Sequence, residues 1–397
     1  MSTSHGAGPR FTHDPARGSA VPAQLDPGSA GAPQRRRDLP RCSDAARARC
    51  DPLGATAAWT RRWLLLEHPG PWAPDALAGS GIPESWQQQL RDAAAAAGGR
   101  VLLVRRPGGR RTPGLPDAPD STDGAAVETA GGTGDAAGTE VGTAVETAVG
   151  TAREPVGSLR WAVVDQPSGL VRWGWWDASA ARPDAPPQAR AGLDRAAAAL
   201  GEPVVAGRDG GTGAALLLVC AHGRHDACCA VRGRPVAAAL AARWPAETWE
   251  CSHVGGDRFA PNLLVLPDGA YYGDLDPASA EQVVEDHLAG AVGTRHLRGV
   301  SSGPPAVQAA LLGVLERFGP ASVRDARGGP PVPVGEDRWE VVVTGSGRLP
   351  PRCVVTVARS RRPPARLTCR APGDAVAAVH EAVEVRVEAT SPGPGGA

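Results

Sequence analysis

The sequence predicts an α/β protein that ends in a small β-rich C-terminal region, and three observations predict it. From about residue 61 to residue 320, short apolar runs alternate with helix-like stretches, the grammar of βαβ units. After residue 321, strand-like segments crowd together instead. Finally, four of the eight cysteines and three of the nine histidines fall between residues 220 and 257, at strand ends and in loops leading into helices, where open α/β sheets place their sites.

Taken in order, residues 1–38 are rich in Pro, Gly and Ser and have too little periodic apolar surface to offset ordering, so a disordered tail is expected. An α/β half follows over 39–200. Within it, "RRWLLLEHPGPW" (61–72) reads as a buried strand, Trp63 to Leu66, ending in a Pro/Gly turn. "PESWQQQLRDAAAAAGGRVLLVRRPG" (83–108) reads as a helix stopped at Gly98 and Gly99, then a strand from Val101 to Val104. Residues 107–157 carry ragged "VETA" units too short and polar to stack, so they read as a low-complexity insertion. "LRWAVVDQPSGLVRWGWW" is expected to form a hairpin turning at Pro167 to Gly169, with Trp173, Trp175 and Trp176 packing on the sheet.

The second half, 201–320, repeats the pattern. "AALLLVC" (214–220) is a buried strand, "CCAVRGRPVAAALAARW" (228–244) a helix and "TWECSHV" (248–254) another strand. "NLLVLPDGAYYGDL" (262–275) is a hairpin turning at Pro267 to Gly269, and "ASAEQVVEDHLAG" (278–290) a helix. After the helix "AVQAALLGVLERFG", the region 321–389 offers the strands "RWEVVVTGSG", "RCVVTVARS", "ARLTC" and "AVEVRVEA" before a frayed tail, 390–397.

Composition narrows function. The chain carries 42 basic and 42 acidic residues, so no global field recruits nucleic acid or an anionic membrane. No run of eighteen apolar residues exists and the first forty lack a signal-peptide core, which places the expected location in the cytoplasm. Structural disulfides are disfavoured there, and clustered cysteines read as metal-binding or redox-active.

Eight residues separate Cys220 from Cys229, and three separate His253 from Asp257. Two ligand pairs from two strand-end loops is the supply a four-coordinate centre needs. An eight-residue gap is long for zinc ribbons and suits a loop wrapped around something larger than one ion.

The residues "CAHGRHDACC", "SHVGGDRFAPNLLVLPDGAYYG" and "RRWLLLEHPGPW" resemble the sucrase/ferredoxin-like family, relatives of the thioredoxin-like 2Fe-2S ferredoxins, over about residues 41–320. The resemblance implies a thioredoxin-like ferredoxin domain over 201–320, packed with the preceding α/β half. It also implies a 2Fe-2S cluster held by two Cys and two His. Cys220, Cys229 and His253 match the first three ligands, whereas Asp257 stands where the family has its second His. Asp257 itself, Cys251 or Cys228 are therefore all candidates for the fourth place. Zinc is the alternative metal.

The expected role is a one-electron carrier served by a redox partner protein such as a reductase, without catalytic residues and without hydrolase chemistry, since no carboxylate pair has a setting that supports glycosidase action. The alternatives are a thiol-redox protein using the vicinal pair Cys228 and Cys229, and a zinc-stabilised or metal-free binding domain. Cys42, Cys50, Cys353 and Cys369 read as small buried hydrophobes, and His222 and His225 as partners of the loop backbone. Arg224 and Arg258 are expected to donate to sulfur or to attract an acidic partner.

Overall fold

The computed structural model describes residues 40–108, 157–206 and 215–388. The tails at 1–38 and 390–397, and nearly all of the insertion at 107–157, lie outside them. Helix α1 (Cys42–Ala48) precedes a first half built from β1 (Arg62–Glu67), α2 (Glu84–Ala96), β2 (Gly99–Arg105), β3 (Ser158–Asp165), β4 (Leu170–Asp177) and α3 (Ala191–Gly201). The second half repeats that order with β5 (Leu216–Cys220), α4 (Ala227–Arg243), β6 (Thr248–Cys251), β7 (Leu263–Leu266), β8 (Ala270–Tyr272) and α5 (Pro277–Leu288). Each half pairs its first two strands in parallel across a helical crossover, then adds an antiparallel hairpin.

The halves share one sheet rather than packing as separate sheets. Its order is β4-β3-β1-β2-β6-β5-β7-β8, closed at the far edge by β9 (Leu297–Val300), and β2 meets β6 antiparallel at the centre. Strand order on one side of that junction mirrors the order on the other.

Side chains alternate across this sheet as the two-residue strand period requires. Leu64, Leu66 and Leu103 pack with α2 and α3, and Leu217 and Val219 pack with α4, α5 and α6 (Pro305–Phe318). The opposite face carries Trp63, Leu65, Leu218, Cys220, Trp249, Cys251 and Tyr271, all buried together. The hairpin tryptophans divide: Trp176 is buried as expected, whereas Trp173 is 43% exposed.

The C-terminal region is a second, five-stranded sheet of β10 (Ala326–Gly328), β11 (Val332–Gly335), β12 (Arg338–Gly345), β13 (Arg352–Arg361) and β14 (Ala378–Val387). Here the expectation for "ARLTC" is corrected: residues 365–369 form a loop that joins no strand ladder beyond an isolated bridge, Ala365 to Ala375. Pro363 and Pro364 precede it and cannot donate to a ladder. Likewise β6 ends at Cys251, short of the expected Val254. No helix among the described residues is long and apolar enough to cross a membrane.

Candidate metal centre

Two parallel strands and one helix position the site. Cys220 is the last residue of β5, and β6 lies beside it in register, Cys220 opposite Cys251, so the chain leaving β6 carries His253 to the same end of the sheet. Helix α4 starts directly behind them. Asp226 is its N-cap, accepting the Cys228 N–H at 2.8 Å, and Cys229 lies in the first turn. The helix can approach because Gly233 has no side chain: a Cβ there would stand 2.2 Å from the Cys220 carbonyl oxygen. Beyond His253, Gly255 and Gly256 both take positive φ, +93° and +76°, which folds Asp257 back toward Cys229.

The four residues expected to form the site thus meet. The Cys229 thiol donates to Asp257 Oδ1 at 3.3 Å, and Cys229 and His253 both stand beside the Cys220 sulfur. His253 Nδ1 stands 3.0 Å from Asp257 Oδ1, yet it is buried and too poorly aligned to make a hydrogen bond.

The neighbouring Cys229 and His253 side chains hold Cys220 well below the ordinary thiol range despite its burial. Cys229 is pushed up by the neighbouring Cys220 and by burial. Burial disfavours charge on His253, but Asp257 and Cys220 outweigh it and raise the imidazole to about 9. Burial likewise opposes ionisation of Asp257, and His253 reverses this, leaving the carboxyl below its ordinary value.

Two histidines complete the surroundings. His222 Nδ1 accepts the His253 N–H at 3.3 Å, so its proton sits on Nε2 and faces the Ala73 carbonyl at 2.5 Å. His225 Nδ1 lies 3.2 Å from the Pro74 carbonyl. Both therefore meet the backbone as expected. His225 Nε2 stands 3.7 Å from Asp257 Oδ2, with the ring stacked on His253 at a centroid distance of 3.7 Å. His225 joins His253 and Asp257 as a potential ligand that spacing did not indicate. The outer edges of His222, His225 and His253 line a surface cleft with Pro74, Asp75 and Arg100.

The charge behind the site comes from Arg298, which is fully buried. It donates to the carbonyls of Thr56 (2.6 Å) and Gly255 (2.9 Å), to Asn262 Oδ1 (2.8 Å) and to Thr56 Oγ1 (3.1 Å). Among the described residues no carboxylate pairs with it directly. Burial pulls its pKa down to about 10, against the support of nearby negative groups that include Asp257 and Cys220. Arg224 and Arg258, expected to donate to sulfur or to attract an acidic partner, lie elsewhere. Arg258 instead points to Asp51 and stacks over Phe259, and Arg224 lines a separate cleft with His68 and Pro71.

The substitutes for the fourth ligand separate. Cys251 lies beside Cys220 within the buried core face. Cys228 does not face the site: its sulfur lies 3.6 Å from Cys42 and 3.4 Å from Cys369. Neighbouring residues on a helix project about 100° apart, so Cys228 and Cys229 serve different clusters and do not form an exchangeable pair. Cys42 and Cys369 are corrected with them, because they belong to a side-chain cluster and are not isolated packing residues. Cys353 does sit in the apolar core, while Cys50 is exposed.

Residues 53–299 match the sucrase/ferredoxin-like family. No curated protein and no solved structure matches the chain.

Proposed function

Because the chain belongs to the sucrase/ferredoxin-like family, we propose that it is an electron-transfer protein whose centre is a 2Fe-2S cluster held between Cys220 and Cys229 on one side and His253 with Asp257 on the other. The observation that carries this reading is the convergence of two thiols with an imidazole and a carboxylate at the ends of β5 and β6. The donor types fit the group. His253 Nδ1 is a buried nitrogen that faces Asp257 without meeting it in a hydrogen bond, and among the described residues the Arg298 charge has no directly paired carboxylate, so both are suited to an anionic metal centre.

When bound, such a cluster supplies a one-electron couple whose potential rises as imidazole replaces thiolate. The protein's own residues do the rest. Cys220 would bind as a thiolate and Asp257 as a carboxylate, the forms that their surroundings favour. Arg298 offsets their negative charge from behind while anchoring the Gly255 turn. The buried face of the sheet excludes water, and the edges of His225 and His253 open to the cleft, where a redox partner protein would dock.

A second reading, one zinc ion on the same donors, is favoured by the 3.3 Å between Cys229 Sγ and Asp257 Oδ1, close for ligands of two different irons. Anaerobically purified protein decides between them by visible absorption, low-temperature electron paramagnetic resonance, and iron, sulfide and zinc analysis. The expected result is a brown protein with about two irons and two sulfides, whose reduced signal changes in His253→Ala. A colourless, iron-free protein that resists reconstitution overturns the proposal.

A further inference from the structure

We propose that Cys42, Cys228, Cys369 and Asp226 form a second metal site, a tetrahedral structural zinc site that shares no ligand with the centre above. The three sulfurs make a nearly equilateral triangle with edges of 3.4, 3.5 and 3.6 Å. Asp226 caps it, its carboxylate oxygens 3.6 and 3.8 Å from Cys42 Sγ. Four donors around one zinc at about 2.3 Å for sulfur and about 2.0 Å for oxygen would have edges of about 3.8 Å between sulfurs and about 3.5 Å between sulfur and oxygen. The observed spacing is close to that of a single ion's coordination shell.

The surroundings match what a thiolate site requires. The Ser43 hydroxyl donates to Cys228 Sγ at 3.2 Å, and the Cys42 N–H donates to Cys369 Sγ at 3.5 Å. Both sulfurs are thus acceptors. Cys228 also lies in the first turn of the 17-residue helix α4, where the backbone dipole favours a thiolate. Asp226 is oriented by the N–H groups of Cys228 (2.8 Å) and Cys369 (2.6 Å). It is fully buried and has no cationic partner among the described residues, and burying an ionised carboxylate without one is costly. A divalent ion removes that cost. Weak S–H hydrogen bonds alone do not.

Cys42 and Cys228 are inaccessible, whereas Cys369 is partly exposed on the 365–375 loop, which provides the entry path. On binding, each thiol that ligates does so as a thiolate, its proton passing to solvent, and Asp226 ligates as its carboxylate. Cys42 and Cys369 both lie outside the family-matching residues 53–299. The ion would therefore pin the N-terminal helix α1 and the C-terminal loop onto α4, alongside the ion pair of Asp44 with Arg232.

The test uses the full chain purified under reducing conditions, with zinc measured per chain and Co(II) as a spectroscopic probe. Wild-type protein should hold about one zinc at this site, and Co(II) in its place should give thiolate-to-cobalt charge transfer and the intense visible bands of a tetrahedral ion. Cys42→Ser and Cys369→Ser should each weaken retention against a chelator on the order of 100-fold, while the iron and absorption that depend on Cys220 persist. Cys220→Ser should do the reverse, so the two sites succeed or fail separately. Cys369→His, which keeps a ligand on the exposed loop, should restore tetrahedral Co(II) binding and controls for misfolding. Zinc and cobalt uptake indifferent to Cys42 and Cys369, or a disulfide among the three cysteines in reduced native protein, overturns the assignment.

Discussion

Arg298 shows at the scale of one residue how the site is supported. Its guanidinium reaches from β9 to Thr56 before β1 and to Gly255 and Asn262 beyond β6, satisfying four acceptors in a fully buried position. Only a planar, multi-donor cation spans such a set. Arg298→Met leaves the Gly255 and Thr56 carbonyls and Asn262 without their donor, and the expected loss of unfolding free energy is about 3 kcal/mol. Arg298→Lys should recover only part of it, because an ammonium cannot reach both sides. Urea denaturation of the two variants checks this, and equal stability of Lys and Arg would refute the spanning role.

At the scale of elements, the close approach of α4 to β5 sets the distance between Cys229 and Cys220. Helix propensity alone would make Gly233→Ala stabilising by about 1 kcal/mol. The Cβ would instead meet the Cys220 carbonyl at 2.2 Å, so the expected net effect is a destabilisation of about 2 kcal/mol, together with lower metal content as the two sulfurs separate. A stabilised variant in thermal melts would contradict this.

A second contact between elements predicts pH dependence. Tyr272 of β8, His287 of α5, Asp268 of the β7–β8 turn and Arg324 form a chain with links of 2.7, 2.8 and 2.5 Å. Burial pushes the Asp268 carboxyl up, but His287 and Arg324 overcome it and hold the group below its ordinary value of 3.8. A depressed carboxyl contributes stability above that value and loses it as pH falls through the folded value. Asp268→Asn should therefore cost about 1–2 kcal/mol at neutral pH, with the deficit shrinking below about pH 4. A deficit that stays constant down to acid denaturation would remove Asp268 as its source.

Across the whole molecule, the C-terminal sheet and the sucrase/ferredoxin-like segment share a core. Leu311, Val314 and Leu315 of α6 lie in one cluster with Val341, Val343, Val355 and Val357 of the second sheet and with Val219 and Val265 of the first. Two sheets clamped on one helix have no independent apolar interior to lose separately. Calorimetry should show a single cooperative transition for the described fold, and a chain cut at about residue 320 should expose α6 and aggregate. Two resolved transitions, or a monomeric truncated form, would assign the C-terminal sheet its own stability.

Periodicity and spacing by themselves determined the alternation of strands and helices on both sides of residue 200, the hairpins at Pro167 and Pro267, and the placing of Cys220 and His253 at or just beyond neighbouring strand ends. These are local properties: strand period, glycine stops and donors delivered by neighbouring strand ends. Only the tertiary structure decided that both halves build one mirrored sheet, because the antiparallel junction of β2 with β6 joins segments with no sequence proximity. The same holds for Arg298, whose isolated position on β9 carries no local signal of the site it supports. It holds most plainly for Cys42 and Cys369, each read alone as a small hydrophobe. They are 327 residues apart and touch only because α1 and a proline-preceded loop converge on the start of α4. Contacts of that separation follow from how surfaces pack, which no window of sequence contains.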